Sequence, residues 1–247
     1  MRWIGDEIRR HGVRERRFDV ECEGRTVPGL AWEPEAPGAA RPLVLIGHGG
    51  TNHKGSDYVR TLARRLARQH GFASAAIDGP VHGDRSPVDV DDADLVRAAF
   101  RRAWERPEAS DEMVADWRAA LGALSGPGGV ASGPVGYWGL SMGTIFGLPL
   151  VAAEPRIEVA VLGAMGVTGP SAERLERDAA RVRCPVLFLV QWDDELIPRE
   201  SALALFDALG AKDKRLHAHP GPHTGIPAEE FLASQDFLAR FLSPRRS

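Results

Sequence analysis

Gly139-Leu140-Ser141-Met142-Gly143 sets one serine between two glycines, directly after the apolar run 135–138 and before residues 144–148, which suit the start of a helix. A Gly-x-Ser-x-Gly pattern in a strand–turn–helix setting is the arrangement that exposes a serine hydroxyl as a nucleophile. So sharp a turn holds the serine in strained backbone geometry, and the flanking glycines remove side chains that would collide with it. The helix start behind it offers backbone N–H groups and a dipole to a developing negative charge. A serine that only caps the helix fits the same five residues, so the pattern needs partners elsewhere in the chain.

A serine nucleophile requires a base to take its proton and a carboxylate to orient that base. Three histidines follow the pentapeptide: His217, His219 and His223. The alternation in Arg215-Leu216-His217-Ala218-His219 directs the first two to one face of a strand. No acidic or cysteine partner stands at ligand spacing from them, so no metal is expected. His223 lies in Pro220-Gly221-Pro222-His223-Thr224-Gly225, a rigid loop between the last strand and the last helix, and open α/β sheets assemble their sites in such loops. The acid is expected just beyond the buried strand 186–190, where Asp193 and Asp194 are adjacent, with a pair of helix-capping carboxylates as the plainer reading. Serine, aspartate and histidine then follow one another in the chain order of an α/β-hydrolase triad.

The elements that must carry these residues alternate. Residues 17–23 and 27–32 read as a hairpin turned at Glu23-Gly24-Arg25. The all-apolar runs 43–46 and 72–77 mark strands buried on both faces. Further strands are expected at 135–138, 159–162, 186–190 and 215–219, with helices at 57–70, 111–124, from 141, and at 173–183, 200–209 and 228–242. Strands separated by single helices imply parallel pairing with right-handed crossovers. The expectation is one α/β domain over residues 1–247: a doubly wound, mostly parallel sheet of eight strands, its first pair partly antiparallel, with helices on both faces. Residues 79–110 break this rhythm as a small, lid-like excursion with one amphipathic segment, 95–104. Asp89, Asp91, Asp92 and Asp94 lack the glycine and terminal glutamate of a calcium loop, and fit a helix N-terminus with a solvated acidic face.

Composition excludes several classes. The 247 residues are 43% hydrophobic and 26% charged, with a formal net charge of −3, which gives no electrostatic case for nucleic acid or an anionic membrane as partner. The charged stretch 1–17 has no apolar core of a secretory signal, and no apolar run approaches the ~20 residues of a membrane span. Cys22 and Cys184 are expected as buried, reduced thiols, and the location as cytoplasmic. The oligomeric state is not legible.

Gly47-His48-Gly49-Gly50-Thr51 follows the strand 43–46, and its glycines let backbone N–H groups approach a ligand closely. The order Lys54-Gly55-Ser56 does not match a phosphate-binding loop. Together with the serine turn, the acidic run and the histidine loop, this segment makes a fourth motif, and the four resemble an α/β-hydrolase serine esterase of the dienelactone-hydrolase/prolyl-oligopeptidase-like branch over nearly the whole chain. The resemblance implies Asp194 as the acid, since it begins the Asp-x-x-aliphatic-Pro run Asp194-Glu195-Leu196-Ile197-Pro198, and His223 as the base in a Gly-x-His-x-Gly-like loop. It implies an oxyanion hole of the Gly50 and Met142 N–H groups, with Thr51 as substitute for Gly50, and a structural role for His48. Asp78-Gly79-Pro80-Val81-His82-Gly83-Asp84-Arg85 resembles a loop that shapes the site wall in relatives. Ser141 stands where dienelactone hydrolase has cysteine, so that enzyme's substrate does not carry over. The implied activity is hydrolysis of small or short-acyl carboxylic esters through an acyl-enzyme on Ser141, without cofactor. A thioesterase, lactonase, amidase or acyltransferase would use the same triad, and a non-catalytic binding protein would keep only the fold. Phe100, Trp104, Phe146, Met165 and Trp192 are candidates to line the acyl pocket, with plain core as the commoner role for each.

Overall fold

The computed structural model describes residues 1–36, 41–89 and 91–243. Its sheet has nine strands in the order β1-β2-β3-β5-β4-β6-β7-β8-β9. The strands are β1 (Arg2–Arg10), β2 (Val13–Cys22), β3 (Arg25–Pro34), β4 (Leu43–Gly47), β5 (Ala73–Ile77), β6 (Val135–Gly139), β7 (Ile157–Gly163), β8 (Val186–Gln191) and β9 (Lys214–His219). β1, β2 and β3 form an antiparallel meander that joins β5, and all pairings from β5 to β9 are parallel. The sheet therefore has one strand more than the eight expected. The extra strand, β1, is an edge strand with most side chains exposed, so no buried face imprints alternation on its sequence.

Among the described residues seven α-helices accompany the strands: α1 (Asp57–Arg65), α2 (Ala93–Trp104), α3 (Ala109–Ser125), α4 (Met142–Ala153), α5 (Ala172–Ala179), α6 (Arg199–Ala208) and, after the last strand, α7 (Ala228–Leu242). α1 runs into a π-helical turn, Leu66–His70, that ends at Gly71 in the left-handed region (φ 71°). The strands sort their side chains by pleat. Leu43 and Leu45 of β4 and Val186, Phe188 and Val190 of β8 enter the core formed with α3, α4, α5 and α6. Val44, Ile46, Leu187 and Leu189 enter the opposite core with α1 and α7. Burial on both faces accounts for the unbroken apolar runs in the sequence, each fully buried aliphatic side chain contributing about 1.5–3 kcal/mol. None of the helices among the described residues is long and apolar enough to cross a membrane.

Two features of this topology position the site. The chain winds from β4 to β5 in one direction and from β6 through β9 in the other, so the switch lies between β4 and β6. The loops after β4, β5, β6, β8 and β9 all leave from the same edge of the sheet, where α/β folds gather their ligands.

Candidate active site

Ser141 closes β6 and opens α4 with φ 55° and ψ −118°, a combination that costs a non-glycine residue about 1–3 kcal/mol. Its surroundings over-determine that conformation. The Ser141 N–H donates to the Gly163 carbonyl at 2.9 Å, and its own carbonyl accepts from Thr144 and Ile145 at 2.8 and 3.0 Å. The Thr144 hydroxyl accepts the Gly163 N–H at 2.8 Å and lies 2.7 and 2.9 Å from the Gly163 and Gly139 carbonyls. The Tyr137 hydroxyl donates to the Gly143 carbonyl at 2.7 Å; burial raises this phenol far above its ordinary pKa, so it stays a donor.

The glycines of the pentapeptide are required by neighbours other than the serine. A Cβ on Gly139 would lie 2.7 Å from the Tyr137 hydroxyl, and one on Gly143 would lie 2.6 Å from the Gly47 carbonyl. Gly147, one turn on, gives way to the Tyr137 ring at 2.1 Å. The pattern thus packs α4 onto β4 and β6 at backbone distance.

The structure brings Ser141, Asp194 and His223 into one line. His223 Nε2 lies 2.8 Å from Ser141 Oγ, and His223 Nδ1 lies 2.7 Å from Asp194 Oδ2. The consistent tautomer has Nδ1–H donating to the carboxylate and Nε2 accepting the serine proton. The imidazole and the carboxylate are both nearly buried, their side chains 10% and 3% exposed. Asp194 Oδ1 takes the N–H groups of Leu196 and Ile197, each at 2.8 Å, so the same carboxylate caps its own turn and faces His223. Asp193 points elsewhere: its Oδ2 accepts the Gly221 N–H at 3.1 Å. Glu195, which the sequence did not single out, accepts the His223 backbone N–H at 2.9 Å.

The loop after β4 presents its donors in alternation. The Gly49 N–H donates to the Tyr58 hydroxyl at 2.7 Å and the Thr51 N–H to His82 Nε2 at 3.3 Å. Among the described residues the N–H groups of Gly50 and Met142 meet no protein acceptor. His48 is buried, its Nε2 accepting the Gly79 N–H at 2.8 Å and its Nδ1–H donating to the Gly49 carbonyl at 2.9 Å. Burial first, and the neighbouring His82 second, lower the pKa of His48 to about 4. Burial likewise lowers His82. Both rings are therefore neutral struts joining the β4 loop to residues 78–85.

Lys54 and Asp78 lock the same two loops. Lys54 Nζ lies 2.5 Å from Asp78 Oδ2 and 2.8 Å from Asp84, with Lys54 and Asp78 both buried. Asp78 also accepts the N–H groups of Lys54 and Asp84, each at 2.9 Å. Gly83, at φ 52°, leaves room for that carboxylate, since a Cβ there would come within 2.3 Å of it.

α2 packs beside this machinery, capped by Asp92, which accepts from Asp94 and Leu95. Phe100 stacks on Trp104 at 5.7 Å and meets His82 at 5.5 Å and Phe146 at 6.3 Å. Of the five candidate lining residues, Phe146 borders a cavity beside the elbow that it shares with Gly47, His48, Ile77 and Met142. Met165 is buried in the core behind α4, and Trp192 is 39% exposed under the Arg199 guanidinium. His217 and His219 both bind Glu230 at the start of α7, at 3.0 and 2.7 Å. The larger surface cleft, near Arg14, Glu33 and Arg41, lies at the opposite end of β4 from this site.

No family model and no curated protein matches the chain. Among solved structures, a polyethylene-glycol-bound, cold-adapted esterase from an Arctic intertidal metagenomic library is 45% identical, with 98% of this chain and 100% of that one covered and a TM-score of 0.88. An acetyl xylan esterase from Paenibacillus sp. R4 is 16% identical over 98% of this chain and 88% of that one, with a TM-score of 0.75. A Klebsiella pneumoniae protein assigned to the dienelactone hydrolases is 18% identical over 93% and 98%, with a TM-score of 0.73. At such identities the last two speak for the fold alone.

Proposed function

The chain belongs to the α/β-hydrolase esterases, and from that premise we propose that it cleaves small carboxylic esters through an acyl-enzyme on Ser141. One observation carries the reading: Ser141 Oγ, His223 and Asp194 stand in series at 2.8 and 2.7 Å, with the serine on a strained elbow. In this mechanism His223 Nε2 takes the serine proton as Oγ attacks the ester carbonyl carbon. The carbonyl oxygen becomes an oxyanion held by the free N–H groups of Gly50 and Met142. Asp194 fixes the tautomer of His223 and stabilises the imidazolium. The imidazolium then protonates the departing alkoxide, and a water deprotonated by His223 cleaves the acyl-enzyme. Thr51 is the poorer oxyanion donor, because its N–H already serves His82.

The cavity bordering the elbow has a volume of about 10 Å³, room for about one water, so it is no acyl pocket and the acyl group is placed on the open side of Ser141. Residues 1–247 are read as one catalytic domain, with 79–110 as its cover over the site through Phe100 and Trp104. Cys22 and Cys184 are free thiols, which fits a reducing compartment, and the proposed location is the cytoplasm. Burial pushes the Cys184 thiol up to about 12, so it is no rival nucleophile.

The test pairs a p-nitrophenyl acetate assay with a fluorophosphonate label. Wild type should turn over and label, while Ser141→Ala should do neither and stay folded. Undiminished turnover by Ser141→Ala would overturn the proposal, and a wild-type protein that neither labels nor turns over would mark a binding protein on this fold.

A further inference from the structure

Three consecutive carboxylates follow β8, and only the middle one meets the imidazole. The outer two reach the backbone of the loop that carries it, Asp193 at Gly221 and Glu195 at His223. Three more bonds join the same stretches: the Trp192 N–H to the His219 carbonyl at 2.6 Å, the Asp193 N–H to the Gly221 carbonyl at 3.2 Å, and Gln191 Nε2 to the Pro222 carbonyl at 3.2 Å. The need for such bonds is written in the loop. Pro220 and Pro222 have no N–H, and Gly221 sits at φ 116°, so residues beyond His219 cannot continue the ladder with β8. Both oxygens of Asp194 are engaged, one by two N–H groups and the other by the imidazole, and the His223 backbone N–H goes to Glu195 instead.

We propose that Glu195 is a positioning residue for His223, holding its backbone N–H and adding a second negative charge beside the imidazolium that forms as Ser141 attacks. The inference rests on the triad reading above. The His223 N–H, first among its causes, holds the Glu195 carboxyl below the usual range, with attraction to the imidazolium acting in the same direction. Glu195 is exposed, so water screens its charge and its effect is smaller than that of Asp194. Asp193 anchors Gly221, two residues from the base, and serves the loop rather than the ring.

Glu195→Ala and Glu195→Gln, made in the full chain, separate the tether from the charge. Glu195→Ala should lower kcat about 10-fold with KM within about 2-fold, and should move the acid limb of kcat/KM to lower pH, because an imidazolium with one carboxylate fewer loses its proton more readily. Glu195→Gln keeps an oxygen acceptor for the N–H and should recover most of kcat while keeping the displaced limb. Asp193→Ala should leave the limb in place. Wild-type kcat and limb in Glu195→Ala would overturn the inference. So would a loss that Glu195→Gln does not repair, or one that comes with an unmoved limb, since either marks a purely structural residue. If Ser141→Ala is inert while Glu195→Ala behaves as wild type, only this inference falls; if Ser141→Ala is active, the triad reading falls first.

Discussion

Gly143 and Gly47 meet backbone to backbone, so that a Cβ on Gly143 would stand 2.6 Å from the Gly47 carbonyl oxygen. Gly143 lies two residues after Ser141, and Gly47 lies three before the Gly50 N–H. On the proposed mechanism, the separation of attacking oxygen from oxyanion donor is therefore set by the absence of one methyl group. Gly143→Ala should force α4 away from β4, destabilising the fold by about 1–3 kcal/mol and lowering kcat/KM by about 10²-fold through misplacement of the serine. Ester kinetics beside urea unfolding check both effects. A variant with wild-type kinetics would show that the close approach does not control the site.

Asp193 and Asp194 are chemically alike and differ only in what they face. Asp194→Asn removes the charge opposite His223 Nδ1 and allows the wrong tautomer, so kcat should fall by about 10³- to 10⁴-fold, the scale known for the same change in a serine-protease triad. Asp193→Asn keeps an oxygen for the Gly221 N–H and should stay within about 3-fold of wild type. The reverse ranking in kcat would transfer the acid role to Asp193.

The candidate site was legible because its residues sit in contiguous motifs: the elbow around Ser141, the acidic run from Asp193, the histidine loop around His223 and the glycines after β4. Each such motif advertises its backbone geometry through glycine or proline. The core strands were legible for a related reason, since burial on both faces leaves apolar runs such as 43–46 and 186–190. β1 escaped because an edge strand with most side chains exposed keeps no alternation. Glu195, Thr144 and Tyr137 escaped because their partners are backbone atoms brought close only by the fold. The sequence pattern alone suggests that the two glycines around Ser141 clear space for the serine, whereas Gly139 clears it for Tyr137 and Gly143 for Gly47.

Lys54 and Asp78 form a buried ion pair between the loop after β4 and the loop after β5. Lys54→Met leaves the Asp78 carboxylate in the interior with N–H donors but no cation. The expected cost is about 3–5 kcal/mol, read as a lower urea midpoint at unchanged slope. A loss below about 1 kcal/mol would mean that the N–H donors suffice without the lysine.

His48 gives the fold an acid limit. Its neutral ring satisfies both nitrogens, accepting from Gly79 and donating to Gly49, so a second ring proton would oppose the Gly79 N–H. Burial, with help from His82, sets its pKa to about 4 in the folded chain against an ordinary 6.5. Between those values the unfolded chain binds a proton that the folded one refuses, so stability is full above pH ~6.5 and declines as pH falls toward 4, by about 3 kcal/mol in all. His82, also lowered by burial, adds in the same direction. His48→Gln removes the titrating group while retaining an acceptor in reach of Gly79. It should be less stable than wild type at pH 8 yet lose about 2 kcal/mol less between pH 6.5 and 4.5, as measured by urea unfolding at each pH. Parallel stability curves for the two proteins across that window would show that the acid sensitivity resides elsewhere.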